Sequence, residues 1–195
     1  MISIIPSSTF KTVPWKNGKG ETTELAINST GTLDNFQWRL SIASVTENGI
    51  FSDFSGYKRN LILIKGHSIQ LTHDENIVDK LSNILDFATF DGGSETFGAL
   101  SKGAIKDFNI ITSKTSCETK VHTFVNQTNQ SINFNGLVFA FSLSDIIELQ
   151  DHQSVHHMIS QGDLLQLTNP KHIELSGKDL ILVYIKETNE HPTQN

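Results

Sequence analysis

The sequence predicts an all-β protein, a barrel or a sandwich of many short strands. Three observations support this prediction. Short segments with alternating apolar and polar residues recur along the chain, only one segment has a helical pattern, and strands do not alternate with long helices. No linker, low-complexity tract or strong charge run divides the chain. We therefore expect residues 1–195 to form one compact body with approximate halves 1–112 and 113–195.

The first distinctive segment is Trp15–Glu24, which reads WKNGKGETTE. Gly18 and Gly20 permit backbone conformations that a side chain forbids, so the segment is typical of a shaped turn. Lys16 and Lys19 add positive charge beside its backbone N–H groups, which is how a loop can bind a carboxylate or a phosphate. The alternative is a purely structural turn whose tryptophan covers the edge of the core.

Alternation is clearest in Phe36–Val45. Phe36, Trp38, Leu40 and Ile42 share one face of the predicted strand, and Gln37, Arg39, Ser41 and Ala43 share the other. An arginine aimed into a barrel or between two sheets needs an anionic partner, because an unpaired buried guanidinium is costly. The same period of two predicts a strand over Thr22–Asn28, with Glu24 on its more polar face.

The rest of the first half predicts turns, strands and one ambiguous segment. Asn48–Arg59 carries Asn-Gly and Ser-Gly turn signals and is followed by the apolar run Leu61–Ile64, which with Ile69 and Leu71 predicts a hairpin or a corner. The apolar spacing within Ile77–Leu85 fits about two helical turns better than a strand. Strands are predicted again over Phe87–Phe90 and Asp107–Ile111.

The second half alternates throughout, and it predicts strands over Glu118–Asn126, Ser131–Leu143, Asp163–Leu167 and Asp179–Lys186. Leu180–Ile185 is apolar on both faces, as expected of a central strand buried between layers.

Composition narrows the classes of partner. The net charge is -6 and only 15 residues are Lys or Arg, which disfavours binding to nucleic-acid phosphates. No apolar run approaches the ~20 residues of a membrane-spanning helix. Met1–Phe10 lacks the basic and apolar regions of a secretory signal, so we expect a cytoplasmic protein. A homodimer stays open.

No metal or cofactor is expected. Cys117 is the only cysteine, so neither an intrachain disulfide nor a thiolate zinc site can form, and we expect this thiol to be inert. The histidines show no His-x-His pair, and His67 and His73 are six residues apart. The densest group, His152, His156 and His157, is typical of a surface loop or an edge strand. The alternative is a metal site that combines one of the three with His172. No Gly-x-Ser-x-Gly nucleophile motif is present.

Five segments together resemble the HutD/Ves family of bacterial cupin-fold proteins, which is associated with histidine utilisation and stress response. They are WKNGKGETTE, WRLSIASV, GIFSDFSGYKRNLILIKG, FATFDGG and KDFNIIT, in this order over the first 110 or so residues. Beyond Ser113 the likeness is limited to the spacing of the predicted strands. In one departure, Lys19 stands where the family loop has a glycine, which would strain the backbone if the position needs a positive φ.

The resemblance implies a cupin-like double-stranded β-helix, with two cupin-like units packed as one body. It implies strand and loop, rather than helix, over Ile77–Leu85. It also gathers the family motifs around a pocket, whose expected ligand-binding residues are Trp15, Lys16, Asn17, Glu24, Arg39, Ser41, Arg59 and Asn109.

These side chains suit a small carboxylate or amido acid. Arg39 or Arg59 would hold a carboxylate through two hydrogen bonds, and Glu24 or Asn17 would accept from an amide N–H. The family's link to histidine utilisation suggests formylglutamate as ligand and a role in tuning the pathway by binding rather than by catalysis.

Three alternatives stay open. Arg39, Arg59 and Glu24 could form an internal ion-pair network that only joins two sheets. A cupin fold also supports isomerases, epimerases and oxygenases. An exposed apolar patch around Phe51, Phe54 and Tyr57 would instead favour a protein-interaction module.

Overall fold

The computed structural model describes residues 1–15 and 18–188. Within this part the chain forms 19 strands, which we number β1 to β19 in chain order, and one short 3₁₀ helix, Ser7–Thr9. The all-β prediction is confirmed. None of the described residues forms a helix long and apolar enough to cross a membrane.

The described residues group into two compact units. The first unit is Lys11–Cys117, and the second is Glu118–Glu187 together with Met1–Phe10. The sequence contains no signal that the first ten residues belong with the second half. The joining of the two units into one body stays a prediction.

The first unit contains a six-stranded sheet in the order β2-β3-β4-β11-β6-β9 and a four-stranded sheet in the order β5-β10-β7-β8. All of its strand pairs are antiparallel. Side chains from both sheets, such as Leu61 and Leu71, share one apolar core. The strands are β2 (Lys11–Pro14), β3 (Gly20–Ile27), β4 (Trp38–Val45), β5 (Gly49–Ile50), β6 (Tyr57–Lys65), β7 (Ile69–His73), β8 (Ile77–Leu81), β9 (Phe87–Asp91), β10 (Thr96–Leu100) and β11 (Ile105–Ser113).

The second unit repeats this plan with a five-stranded sheet, β1-β17-β14-β19-β12, and a four-stranded sheet, β13-β18-β15-β16. Residues of both, including Val138 and Leu175, form its core. The strands are β1 (Ile2–Ile5), β12 (Cys117–Phe124), β13 (Thr128–Ile132), β14 (Leu137–Ser142), β15 (Ile147–Gln150), β16 (His156–Ile159), β17 (Leu164–Thr168), β18 (Ile173–Gly177) and β19 (Leu180–Glu187).

Ile77–Leu85 is not a helix. Ile77–Leu81 forms strand β8, which pairs with β7, and Leu85 has a φ of 74°. The expectation from the family resemblance is therefore confirmed over the helical apolar spacing, because pairing with a neighbouring strand overrides the local pattern.

One other strand prediction needs correction, and the choice left open between a hairpin and a corner is decided. The predicted strand Ser131–Leu143 is two strands in different sheets, β13 and β14, and Gly136 between them has a φ of 148° that favours glycine. β6 and β7 also belong to different sheets, so the chain makes a corner at Gly66 rather than a hairpin. The prediction that Leu180–Ile185 is a central strand is confirmed, since β19 lies between β14 and β12.

Candidate functional site

A cavity of about 700 Å³ opens in the first unit. Strand pairing explains why polar residues line it. Ser41 pairs with Glu24 on one side and with Asn109 on the other, and Ile111 in the next row pairs with both Arg39 and Arg59. Because residues two apart on a strand share a face, these side chains all lie on one face of the six-stranded sheet. The cavity is lined among others by Trp15, Glu24, Arg39, Ser41, Arg59, Asp107 and Asn109.

Six of the eight residues predicted for ligand binding therefore line one cavity. Lys16 and Asn17 lie outside the described residues. Binding of a ligand by the other six stays a prediction.

A bulge in β3 shapes the polar face. Between Glu24 and Ala26 the register against β4 shifts by one residue, so Glu24 pairs with Ser41 while Ile27 pairs with Arg39. The simple alternation predicted for Thr22–Asn28 is therefore wrong beyond Leu25. Glu24 pairs with Ser41 before the bulge, and Arg39 is two residues from Ser41 on the same face of β4, so Glu24 and Arg39 both lie on the cavity side.

Arg39 and Glu24 form an ion pair, in which Arg39 Nε donates to Glu24 Oε2 at 2.8 Å. This pair joins neighbouring strands of one sheet, whereas the alternative of an ion-pair network joined two sheets.

Arg59 is in a different situation. Its side chain is buried, and no carboxylate of the described residues forms an ion pair with it. Arg59 Nη2 donates to Asn109 Oδ1 at 2.9 Å, and Nη1 makes a long contact of 3.5 Å with the carbonyl oxygen of Ser52. Arg59 Nε is buried and has no hydrogen-bond partner among the described residues.

Three phenylalanine rings surround the guanidinium of Arg59. The centroids of Phe51 and Phe54 lie 5.4 Å from its central carbon, and that of Phe90 lies 5.2 Å away. These cation–π contacts partly replace the hydration that the cation loses on burial. Burial lowers the pKa of Arg59 to about 10, against a raising effect of the Asp107 charge, so the guanidinium remains protonated at neutral pH.

The aromatic residues Phe51, Phe54 and Tyr57 do not form an exposed patch. All three are half-buried, and Phe54 and Tyr57 also contact the ring of Phe36. The exposed apolar patch that would favour a protein-interaction module is therefore absent at these three residues.

Asp107 is a charged cavity residue that is absent from the predicted set, as is Lys11. It is fully buried, and its Oδ1 accepts a hydrogen bond from Asn109 Nδ2 while its Oδ2 has no partner among the described residues. The alternation within Asp107–Ile111 could have revealed it, since Asp107, Asn109 and Ile111 share one face of β11.

The turn between β2 and β3 positions Trp15. The backbone N–H of Trp15 donates to the carbonyl of Gly20 at 2.9 Å, and Trp15 Nε1 donates to Thr22 Oγ1 at 2.7 Å. A Cβ at Gly20 would lie 3.0 Å from the Trp15 ring and would collide with the Ser44 carbonyl oxygen, so glycine permits this close packing. The strain considered for Lys19 does not arise, because the positive φ of 72° falls on Gly18.

The histidines within residues 1–188 show no arrangement for a metal. No group of three or more His, Cys, Asp or Glu among the described residues is placed to hold a metal ion. His156 and His157 lie on β16, which is an edge strand as predicted. His73 is buried and structural, with Nδ1 2.9 Å from Thr96 Oγ1 and Nε2 3.3 Å from Asp79 Oδ2.

Comparison with known proteins places the chain in a family. The HutD family profile matches residues 7–183. An uncharacterized 21.2 kDa protein in the hutC 3′ region of Pseudomonas putida is 33% identical over 148 residues, which is 76% of this chain and 77% of the relative. Protein Ves of Escherichia fergusonii is 36% identical over 138 residues, which is 70% of each chain.

Comparison with solved structures agrees with the match to the HutD family profile. HutD from Pseudomonas fluorescens SBW25 has a TM-score of 0.83 and 28% identity, with 97% of this chain and 100% of that chain covered. A conserved protein of unknown function from Pseudomonas aeruginosa PAO1 has a TM-score of 0.85 and 26% identity, with 95% and 99% covered. The pirin YhhW from Escherichia coli has a TM-score of 0.68 at 9% identity, with 97% of this chain and 100% of that chain covered, which is a likeness of fold alone.

The cupin-like fold that the resemblance implied is thereby confirmed. The family profile also extends about 70 residues beyond Ser113, where the resemblance was limited to the spacing of the predicted strands. The chain belongs to the HutD family.

Proposed function

We propose that this protein binds a small carboxylate metabolite in the cavity of its first unit, without catalysing a reaction, and thereby tunes histidine utilisation. The observation that carries the proposal is Arg59, a buried cation that lines a cavity, keeps an unpartnered Nε–H, and forms no ion pair with a described carboxylate. N-formylglutamate is the first candidate ligand.

The energetics of Arg59 favour an anionic ligand. A buried charge is costly unless an opposite charge or several hydrogen bonds offset the loss of water. Three aromatic rings and Asn109 supply part of that compensation. A ligand carboxylate would supply the rest, and its attraction to the guanidinium is strengthened by the apolar surroundings.

The cavity has the size and the charges for such a ligand. Small-molecule pockets typically measure roughly 300–1,000 Å³ and combine apolar walls with a few placed polar groups. Three cations, Lys11, Arg39 and Arg59, line the cavity together with two carboxylates, and Val13, Leu33 and Ile50 add apolar surface.

Formylglutamate is favoured by the relatives rather than by the cavity. One relative lies in the 3′ region of hutC, which agrees with the association of the family with histidine utilisation.

A ligand screen tests the proposal. We expect N-formyl-L-glutamate, glutarate or a related dicarboxylate to raise the melting temperature in a concentration-dependent manner, since a ligand at 100 times its Kd adds about 2.7 kcal/mol to the free energy of unfolding. Glutaramide, the neutral diamide, is the matched control and should have no effect. Stabilisation by neither N-formyl-L-glutamate nor any dicarboxylate would contradict the proposal.

Metal content separates the binding protein from a cupin enzyme. We expect the purified protein to carry no stoichiometric transition metal, because the sequence has no His-x-His pair and only one cysteine. Elemental analysis checks this expectation. About one Fe, Mn, Ni or Zn per chain would contradict it and favour an isomerase, epimerase or oxygenase.

A further inference from the structure

Asp107 places a carboxylate in the same cavity that is proposed to bind the carboxylate of a ligand. It is fully buried, it lines the same cavity as Arg59, and its Oδ2 has no partner among the described residues. Structural carboxylates in a core normally have their oxygens paired, so this oxygen is available to a ligand.

Asn109 links Asp107 to Arg59. Asn109 accepts from Arg59 Nη2 through Oδ1 and donates to Asp107 Oδ1 through Nδ2, so its amide bridges the cation and the carboxylate. Both its oxygen and its nitrogen are therefore engaged. Arg59 Nε, which donates, and Asp107 Oδ2 are the atoms of these three side chains that are buried without any hydrogen-bond partner among the described residues.

Other charged groups face the cavity from the neighbouring strands. They are Arg59 on β6, Arg39 on β4, Glu24 on β3 and Lys11 on β2. Arg39 and Glu24 are paired with each other. Arg59 is therefore the described cation linked most directly to Asp107.

We propose that Asp107 determines specificity for the ligand's carboxylate: with the ligand bound, Asp107 is protonated and its Oδ2–H donates a hydrogen bond to that carboxylate, so binding takes up a proton. The inference rests on the proposed function. Its physical basis is that two carboxylates confined to one small site do not both ionise, and the shared proton then forms a hydrogen bond between them.

The protein is prepared for this protonation. Burial raises the pKa of Asp107 to about 7, although the charge of Arg59 and the hydrogen bond from Asn109 act in the opposite direction. About half of the ligand-free molecules already carry the proton at neutral pH. An anionic ligand raises the pKa further, because it repels the ionised form.

The sign of the pH dependence follows. Affinity for a carboxylate is nearly constant below pH 7, where Asp107 is already protonated, and falls up to tenfold per pH unit above it. Proton uptake is about half a proton per ligand at pH 7 and approaches one at pH 8.5. A neutral ligand that offered an amide N–H to Oδ2 would instead bind better as the pH rises.

Calorimetric titration of the full chain with N-formyl-L-glutamate between pH 6 and 8.5, in HEPES and in Tris, measures both affinity and proton uptake. We expect the wild-type heat to differ between the buffers above pH 7. Asp107→Asn offers a permanent N–H donor, so we expect no proton uptake linked to this position and, at pH 8.5, an affinity at least tenfold above wild type. Asp91→Asn, which removes an exposed carboxylate outside the cavity, should keep the wild-type pH profile.

The wild-type titration decides the inference even if Asp107→Asn does not fold. Wild-type affinity that is constant from pH 6 to 8.5, with heats independent of the buffer, would overturn the role of Asp107 and leave the proposed function intact. Proton uptake that persists in folded Asp107→Asn would overturn it as well. Absence of binding at every pH, both of N-formyl-L-glutamate and of the dicarboxylates in the screen, would remove the proposed function, and the inference with it.

Discussion

Replacement of Arg59 by Met should abolish carboxylate binding and leave the free energy of unfolding of the ligand-free protein within about 1 kcal/mol of wild type. Removing one partner of a buried ion pair normally costs about 3–5 kcal/mol, because the other charge is left uncompensated. Arg59 has no such partner among the described carboxylates, and Asp107 can take up a proton near neutral pH. The methionine side chain can also pack against the same phenylalanine rings.

Arg39→Met is the matched control. Arg39 pairs with Glu24, whose side chain is 25% exposed. Its loss leaves a partly buried carboxylate unpaired, so we expect a loss of about 2 kcal/mol, between the ~1 kcal/mol of an exposed pair and the value for a buried one.

Urea unfolding at pH 7 without ligand, together with calorimetric titration of N-formyl-L-glutamate, measures both effects. A loss of several kcal/mol in both variants would identify a structural ion-pair network. Unchanged affinity in Arg59→Met would remove Arg59 from the site.

Replacement of Asp107 by Asn should stabilise the ligand-free protein in alkaline solution and have little effect in acid. Burial raises the pKa of the folded carboxyl from 3.8 to about 7. Between these two values the unfolded chain has lost the proton and the folded chain still holds it, so wild-type stability declines as the pH rises through this window. The difference between the two pKa values lowers the free energy of unfolding of the wild type by at most roughly 4 kcal/mol above pH 7.

Asparagine has no proton to lose and can still accept the hydrogen bond from Asn109. We therefore expect Asp107→Asn and wild type to be equally stable near pH 4, and the variant to be more stable by a few kcal/mol at pH 8. Denaturant unfolding at pH 4.5, 6 and 8 measures the difference. A difference that does not change with pH would show that Asp107 titrates normally in the folded protein.

The sequence predicts which residues line the cavity better than it predicts which of their charges are paired. Alternation in Phe36–Val45 places Arg39 and Ser41 on one face, and this arrangement agrees with the structure. Alternation in β11 would have placed Asp107 beside Asn109, had it been applied to the charged residue as well. These are local patterns that a single strand displays.

Local sequence patterns do not show which of the two arginines, Arg39 or Arg59, forms an ion pair. Glu24 reaches Arg39 because β3 pairs with β4 in a register that places Glu24 opposite Ser41, two residues from Arg39 on the same face. The surroundings of Arg59 depend on phenylalanines from two segments, Phe51 and Phe54 before β6 and Phe90 on β9, which meet only in the folded unit. Pairing between distant strands therefore decides which cation is available to a ligand.

Alternation in the sequence does not predict all strands of the second unit, because several of them are short. β15, β16 and β18 are only four or five residues long, and their pairing partners are distant in sequence or joined by irregular turns. Short strands carry too few residues for alternation to stand out from chance.

A crystal structure of the protein with N-formyl-L-glutamate tests the central claim most directly. We expect a ligand carboxylate within hydrogen-bond distance of Arg59 Nε, with Asp107 Oδ2 facing it and the Arg39–Glu24 ion pair intact. Ligand bound at Arg39 with Glu24 displaced and Arg59 still without an anionic partner, or ligand bound outside this cavity, would contradict the account.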